Sequence, residues 1–316
     1  MALAVALIAI ALTLAATPVA AGLARRFDLV DRPGPLKPQQ APVPYLGGAA
    51  VAPALAAGPV AAGRPELLAP MALALALGAV DDHRGLAPTT RLGAEVVVGI
   101  AAALVVPGPV AARAATAALV VILLNAWNLL DGLDGLAAGV ALASGGAAAT
   151  LGGDAAPVAL AVTGATAGFL VFNRPPARIY LGDGGAYLLG TTLALTPALA
   201  GGGLERWSVW LATPMLFGIP VADVGVAVIR RARAGVPLFA GDRSHSYDQL
   251  VDRGLGVGAA SALFAVAQAG LGALGVLAVR LDPPAAFAVT AAGTTSVFLA
   301  CLGAGLFTPR RNAPGR

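Results

Sequence analysis

Asn125, Asn128, Asp131 and Asp134 recur every three residues between stretches that hold almost nothing but alanine, valine, leucine and glycine. At that spacing neighbours share one side of a helical turn. Oxygen-bearing amides and carboxylates so grouped suit a hard cation or a charged ligand. A carboxylate in hydrocarbon costs on the order of 2.5–3.5 kcal/mol, so four polar groups in one oily stretch call for a partner. The alternative is that the run only caps two flanking helices.

Four more clusters have chemical character. Asp81 and Asp82 are adjacent, and two carboxylates in a low dielectric ionise together only when a cation such as Mg2+ neutralises them. Gly182-Asp183-Gly184-Gly185 sets an acid among glycines ahead of an apolar run, where free backbone N–H groups and a helix dipole favour phosphate. Asp242-Arg243-Ser244-His245 offers a guanidinium and an imidazole at one spot, and His245 is one of two histidines, the other being His83 beside the Asp pair. Asp223 lies inside an apolar segment three residues after Pro220; at that depth it needs a polar cavity or a partner, and the cavity is the reading favoured here. Arg230, Arg231 and Arg233 read as plain anchors at a membrane surface.

The elements that must position these groups follow from composition. Of 316 residues 58% are hydrophobic and 11% charged, with mean hydropathy +0.82, against about 25% charged in soluble domains. The fold expected is an all-α, polytopic transmembrane bundle of about 10–11 helices forming a single domain over 1–316. Apolar spans are predicted at 3–24, 46–62, 67–80, 92–112, 114–127, 135–151, 156–172, 185–201, 207–230, 256–279 and 284–307. The first lacks the basic start of a secretory signal and reads as a retained helix. The single cysteine, Cys301, falls in the last span and excludes a disulfide within the chain.

Basic residues fix the sidedness. Loops after odd-numbered spans, with the tail at 308–316, hold sixteen of the twenty Lys and Arg residues; the opposite loops hold Arg64, Arg113, Arg206 and Arg280. Positive charge marks the cytoplasmic side, so the N-terminus is expected outside and every polar cluster, including the 231–255 loop, on the cytoplasmic face. The net charge of +4 then describes a face suited to anionic lipid and anionic substrates, not a nucleic-acid binder.

Taken in order, five segments carry a resemblance: Asp31-Arg32-Pro33 with Lys37 and Pro44-Tyr45-Leu46-Gly47-Gly48; Val80-Asp81-Asp82 with Arg91-Leu92; residues 125–135; residues 172–183, from Phe172-Asn173-Arg174 to Tyr180-Leu181-Gly182-Asp183; and residues 239–245. Together they resemble the polyprenyl-phosphate N-acetylhexosamine-1-phosphate transferases, over a core from about 31 to 254. The resemblance implies transfer of a sugar 1-phosphate from a UDP-sugar to undecaprenyl phosphate with release of UMP, in a bacterial inner membrane, as the first membrane step of a surface glycan. It implies Mg2+, or Mn2+ in its place, held by Asp183, Asp82 and Asn128. Asp81, Asp82, Asp131 and His245 take catalytic roles, with Asp81 or Asp82 as the base if one acts. Lys37, Asn125, Asn128, Asp134, Asn173, Tyr180 and Arg243 contact substrates, Tyr180 stacking on uracil. A homodimer is the assembly it implies.

Where the family pattern continues with further histidines this chain reads His245-Ser246-Tyr247-Asp248-Gln249, and Leu36 and Gln39 flank Lys37 in place of an arginine and a histidine. The first departure argues against phospho-MurNAc-pentapeptide transfer and toward O-antigen, capsule or related glycans. Competing classes are a transporter, which would set its acids at mid-membrane within inverted repeats, an intramembrane aspartyl protease, which needs a glycine where Tyr180 stands, and an inactive scaffold.

Overall fold

The computed structural model describes residues 2–34, 39, 41–200, 207–235 and 245–308. In hydrocarbon every backbone N–H and C=O needs an internal partner, which leaves helices as the available form for long apolar runs. The chain obeys: α1 (Ala2–Arg26), α2 (Gly47–Ala61), α3 (Leu68–Arg84), α4 (Pro88–Val105), α5 (Val110–Leu130), α6 (Leu136–Ala149), α7 (Ala155–Asn173), α8 (Gly182–Leu199), α9 (Trp207–Leu216), α10 (Gly218–Ala234), α11 (Ser246–Asp252), α12 (Val257–Val279) and α13 (Pro283–Gly303). A short 3-10 turn, Pro65–Leu67, leads into α3. The one sheet among the described residues pairs β1 (Val30–Asp31) with β2 (Val43–Pro44) antiparallel in the first loop. Among the described residues six helices are long and apolar enough to cross a membrane, and α9 with α10, bent by 67°, counts as a seventh when the pair is taken as one span. The protein is a multi-pass membrane protein.

Each of the eleven expected spans finds a helix, but the ninth is a correction. Hydropathy alone predicts a continuous span from 207 to 230; the helix breaks at Phe217. The freed backbone groups are not left bare. Gln268 of α12, wholly buried, accepts the Ile219 N–H at 2.9 Å and donates to the carbonyls of Leu216 (2.8 Å) and Met215 (3.3 Å). Trp127 packs its indole edge-on against Phe217 at the same break, with ring centroids 6.3 Å apart.

Helix α8 is the axis. Every residue from Gly184 to Leu199 is buried, and α2, α3, α5 and α7 surround it. Leu104, Val97, Ile100 and Val266 face outward, as lipid-facing side chains do. At one end Arg64 joins the even-numbered loops, donating to Asp154 and to the Val105 carbonyl, both at 3.1 Å. The chemistry lies at the other end.

Candidate active site

Glycines set the helix spacing there. A Cβ on Gly78 of α3 would stand 2.4 Å from the Asp183 carbonyl and the Gly184 nitrogen, and one on Gly48 of α2 would stand 2.5 Å from the Gly185 nitrogen. The three helices therefore touch backbone to backbone. One turn beyond Gly78, Asp82 reaches the start of α8, where Oδ1 accepts the Asp183 N–H at 3.0 Å and Oδ2 accepts the Gly184 N–H at 3.2 Å. Its carboxylate thus satisfies two orphan donors at the positive end of a helix.

Asp81 points elsewhere. Its Oδ1 accepts the Leu86 N–H at 2.8 Å and its Oδ2 accepts the Tyr187 hydroxyl at 3.0 Å, with Arg91 Nη1 at 3.7 Å. Arg91 Nε also lies 3.6 Å from Glu95, whose other oxygen accepts from Asn125. Tyr187, Asp81, Arg91, Glu95 and Asn125 form one chain of contacts beside the site, buried except at the half-buried Arg91 and Asn125. Asn125, expected against substrate, is engaged with Glu95 and with the Val121 carbonyl.

The rest of the 125–135 run faces α8. Asn128 donates to Asp183 Oδ1 at 2.6 Å. Asp131 stands just past the end of α5, and its carboxyl is held well above the usual carboxylate range by burial and by the charges of Asp183 and Asp82. Asp131, Asp82 and Asp183 thus form a crowded acidic group whose strain a divalent cation would relieve. Among the described residues no three Asp, Glu, His or Cys side chains make up a group that could hold a metal ion. Mg2+ does not ask for one, because it keeps waters and takes one or two carboxylates plus substrate phosphates.

Asp134 and Asn173 hold loops together. Asp134 accepts the Ala177 N–H at 2.8 Å, and burial raises its carboxyl against that bond. Asn173 is buried; its Oδ1 accepts the Gly135 N–H at 3.0 Å and its Nδ2 donates to the Ile179 carbonyl at 2.9 Å. That amide fastens the 131–135 turn to the 174–181 loop. Tyr180 is half-buried in the same loop, near Asp134, Asp31 and Asp131, with burial pushing its hydroxyl up to about 12. Its main chain docks on the first-loop motif: Tyr180 N–H to the Pro44 carbonyl (2.7 Å), and Gly47 N–H back to the Tyr180 carbonyl (3.0 Å).

His245 enters from the far side through Asp223, 2.9 Å from its Nδ1. Asp223 therefore has a partner and not the polar cavity expected of it. It lines an apolar cavity of about 800 Å³ between α10, α12 and α13. Arg230 and Arg231, expected as solvated anchors, are buried, while Arg233 is exposed and lies 5.7 Å over the Phe307 ring. Lys37 and Arg243 lie outside the described residues. The sequence reading overlooked Tyr187 and Glu95. Glu95 had a signal, since it is a lone acid within the fourth predicted span; a tyrosine in an apolar run has none.

Residues 65–200 match the model of glycosyl transferase family 4, the segment that runs from the start of α3 to the end of α8. Decaprenyl-phosphate N-acetylglucosaminephosphotransferase of Mycobacterium tuberculosis is 30% identical, over 73% of this chain and 71% of its own length. The chain belongs to glycosyl transferase family 4. A second relative, the probable undecaprenyl-phosphate N-acetylglucosaminyl 1-phosphate transferase of Bacillus subtilis, is 30% identical over 76% of this chain and 74% of its own length. Phospho-N-acetylmuramoyl-pentapeptide-transferase of Moorella thermoacetica is 35% identical, but over 46% of this chain and 54% of its own length. The family-matched segment contains Asp81, Asp82, Asn128, Asp131, Asp134, Asn173, Tyr180 and Asp183; His245 lies beyond it.

Proposed function

We propose that this family 4 protein transfers N-acetylglucosamine 1-phosphate from the UDP-sugar to a polyprenyl phosphate and releases UMP. The geometric observation that carries the reading is Asp183 at the first turn of α8, bonded to Asn128, with Asp82 fastened to the same turn and Asp131 beside it. The likeness to two polyprenyl-phosphate N-acetylglucosamine phosphotransferases over most of each chain supplies the substrate class. Transfer of the muramoyl-pentapeptide kind is supported less, because that relative matches less than half of the chain.

In this reading an oxygen of the acceptor phosphate attacks the sugar-bearing phosphorus of the donor. The new P–O bond forms as the bond to the bridging oxygen breaks, and that oxygen leaves with UMP. A phosphomonoester has a second pKa near ~6, so the nucleophile needs little help from a base and position dominates. Asp183 and Asp131 are the groups that would hold Mg2+. When bound, the ion neutralises charge on the diphosphate and on the leaving oxygen.

The remaining residues serve position. Asn128 orients Asp183, and Asp82 fixes the turn on which Asp183 stands. Asp81 holds Arg91 and Tyr187 beside that turn. Tyr180 stacks on the uracil, on a loop that Asn173 and Asp134 hold in place; Lys37 and Arg243 complete the phosphate contacts from the first and ninth loops. The arginine bias supports a site open to the cytoplasm from an inner membrane.

The test is the full-length chain in lipid nanodiscs with undecaprenyl phosphate, Mg2+ and a panel of UDP-N-acetylhexosamines, reading UMP release and the lipid product by mass spectrometry. GlcNAc-1-phosphate-linked lipid is expected, and its loss in Asp183→Asn with the fold retained. No product from any donor would sink the transferase reading; near-normal turnover in Asp183→Asn would sink the metal assignment alone.

A further inference from the structure

Asp223 is buried in the second turn of α10, and both oxygens of its carboxylate are used by the residues that open α11. Oδ2 lies 2.9 Å from His245 Nδ1, and Oδ1 accepts the Ser246 N–H at 3.1 Å. An ionised carboxylate only accepts, so Nδ1 carries the proton and Nε2 is the nitrogen that remains for a ligand. The other side of the imidazole is fixed as well. The Tyr247 ring stacks on it nearly parallel, with centroids 5.5 Å apart and planes at 8°. The Tyr247 hydroxyl donates to the Leu129 carbonyl at 2.9 Å, and a Cβ on Gly132 would stand 2.0 Å from that hydroxyl. Tyr247 therefore ties the imidazole to the turn that carries Asn128 and Asp131.

A buried carboxylate is a costly way to cap a short helix. A neutral acceptor would serve the Ser246 N–H alone. What the charge adds is a locked tautomer and a fixed ring plane for the neighbouring histidine. We propose that Asp223 is a positioning residue for the transfer reaction, holding His245 as the Nδ1–H form so that Nε2 meets the pyrophosphate of the nucleotide sugar. The proposal rests on the transferase reading above and extends it to a residue outside the acidic cluster.

Two measurements test it. The first reads the dyad without any reaction. The full-length chain is labelled with 15N-histidine in nanodiscs, and with two histidines in the sequence the variant His83→Gln assigns the spectrum. His245 is expected with a protonated Nδ1 and an unprotonated Nε2, and Asp223→Asn is expected to shift it toward the mixture of an unrestrained imidazole. A wild-type spectrum with the proton on Nε2 overturns the proposal, whether or not any variant folds. The second is a double-mutant cycle in UMP release. Asp223→Asn is expected to lower kcat/KM for the UDP-sugar by about 10–100-fold, and to change it less than about twofold when His245 is already alanine. Equal losses in both backgrounds mean that Asp223 acts on the fold and overturn the positioning role. A wild-type chain that transfers nothing, yet shows the Nδ1–H signal, would fault the transferase reading and leave the dyad supported.

Discussion

Two contacts bring chemistry to the same end of the bundle by opposite means. Between α3 and α8 the closest approach rests on a missing side chain: Gly78 lets two backbones meet, and Asp82 then lands on the N–H groups of the facing helix. Around α11 the side chains themselves make the joint: Asp223 of α10 to His245, and Tyr247 across to Leu129 of α5. The break that starts α10 is likewise held by one side chain, Gln268. Contacts built from missing atoms are rigid and intolerant of any addition, since interiors pack at crystal-like density. Contacts built from hydrogen bonds fail gradually, by about one bond's worth at a time. The acidic cluster, where geometry must be held most closely, uses the first kind, and the histidine brought in by a loop uses the second.

The sharpest way to break that contrast is Gly78→Ala. The added methyl meets backbone on α8, so the helices must part; overpacking costs about 1–3 kcal/mol, and Asp82 leaves its two donors. Loss of transfer together with a lower unfolding temperature in nanodiscs is expected. Gly146→Ala in α6, where nothing lies within 4 Å, is the matched control, and identical behaviour of the two would defeat the distinction.

Next in size is Gln268→Leu. It strips partners from three buried backbone groups, each worth about 1–3 kcal/mol when left unsatisfied, although freed groups at a membrane helix break find some substitutes. A clear drop in thermal stability is expected, with transfer surviving at low temperature. If stability is unchanged, the break does not depend on that side chain.

Tyr247→Phe sharpens the comparison further. It keeps the ring stack on His245 and removes one bond to Leu129, about 1 kcal/mol. A small stability loss and a severalfold fall in kcat/KM are expected, and a complete loss of activity would mean that the joint around α11 is as intolerant as α3–α8. The smallest effect belongs to Arg64→Ala at the opposite end of the bundle, where rate and donor preference should both stay at the wild-type level.

Much of the architecture was legible from hydropathy, because solvation acts on each segment separately. Eleven apolar runs became helices, and the ninth differed only in its break, whose stabilising partner, Gln268, lies 49–53 residues beyond the groups it serves. The candidate site was legible by residue type: Asp81, Asp82, Asn128, Asp131 and Asp183 stood out as polar groups in an oily chain. Their division of labour was not. Asp81 and Asp82 are adjacent and alike in sequence, yet one is bound to Tyr187 and Leu86 and the other to the turn at Asp183. Asn173, expected at the substrate, bonds to Gly135 and Ile179 and so fastens the loops.

Composition and charge settle the solvent, the apolar spans and the asymmetry of the basic loops, and the motifs carry the resemblance that family 4 membership bears out. Which acid faces which donor, that Asn125 answers Glu95, and that Asp223 holds His245 emerge with the packing of distant helices. The reason is separation along the chain. Hydropathy and charge are summed over neighbours, whereas the bond from Asp82 to Asp183 spans 101 residues and exists only because a glycine one helical turn away lets two helices touch.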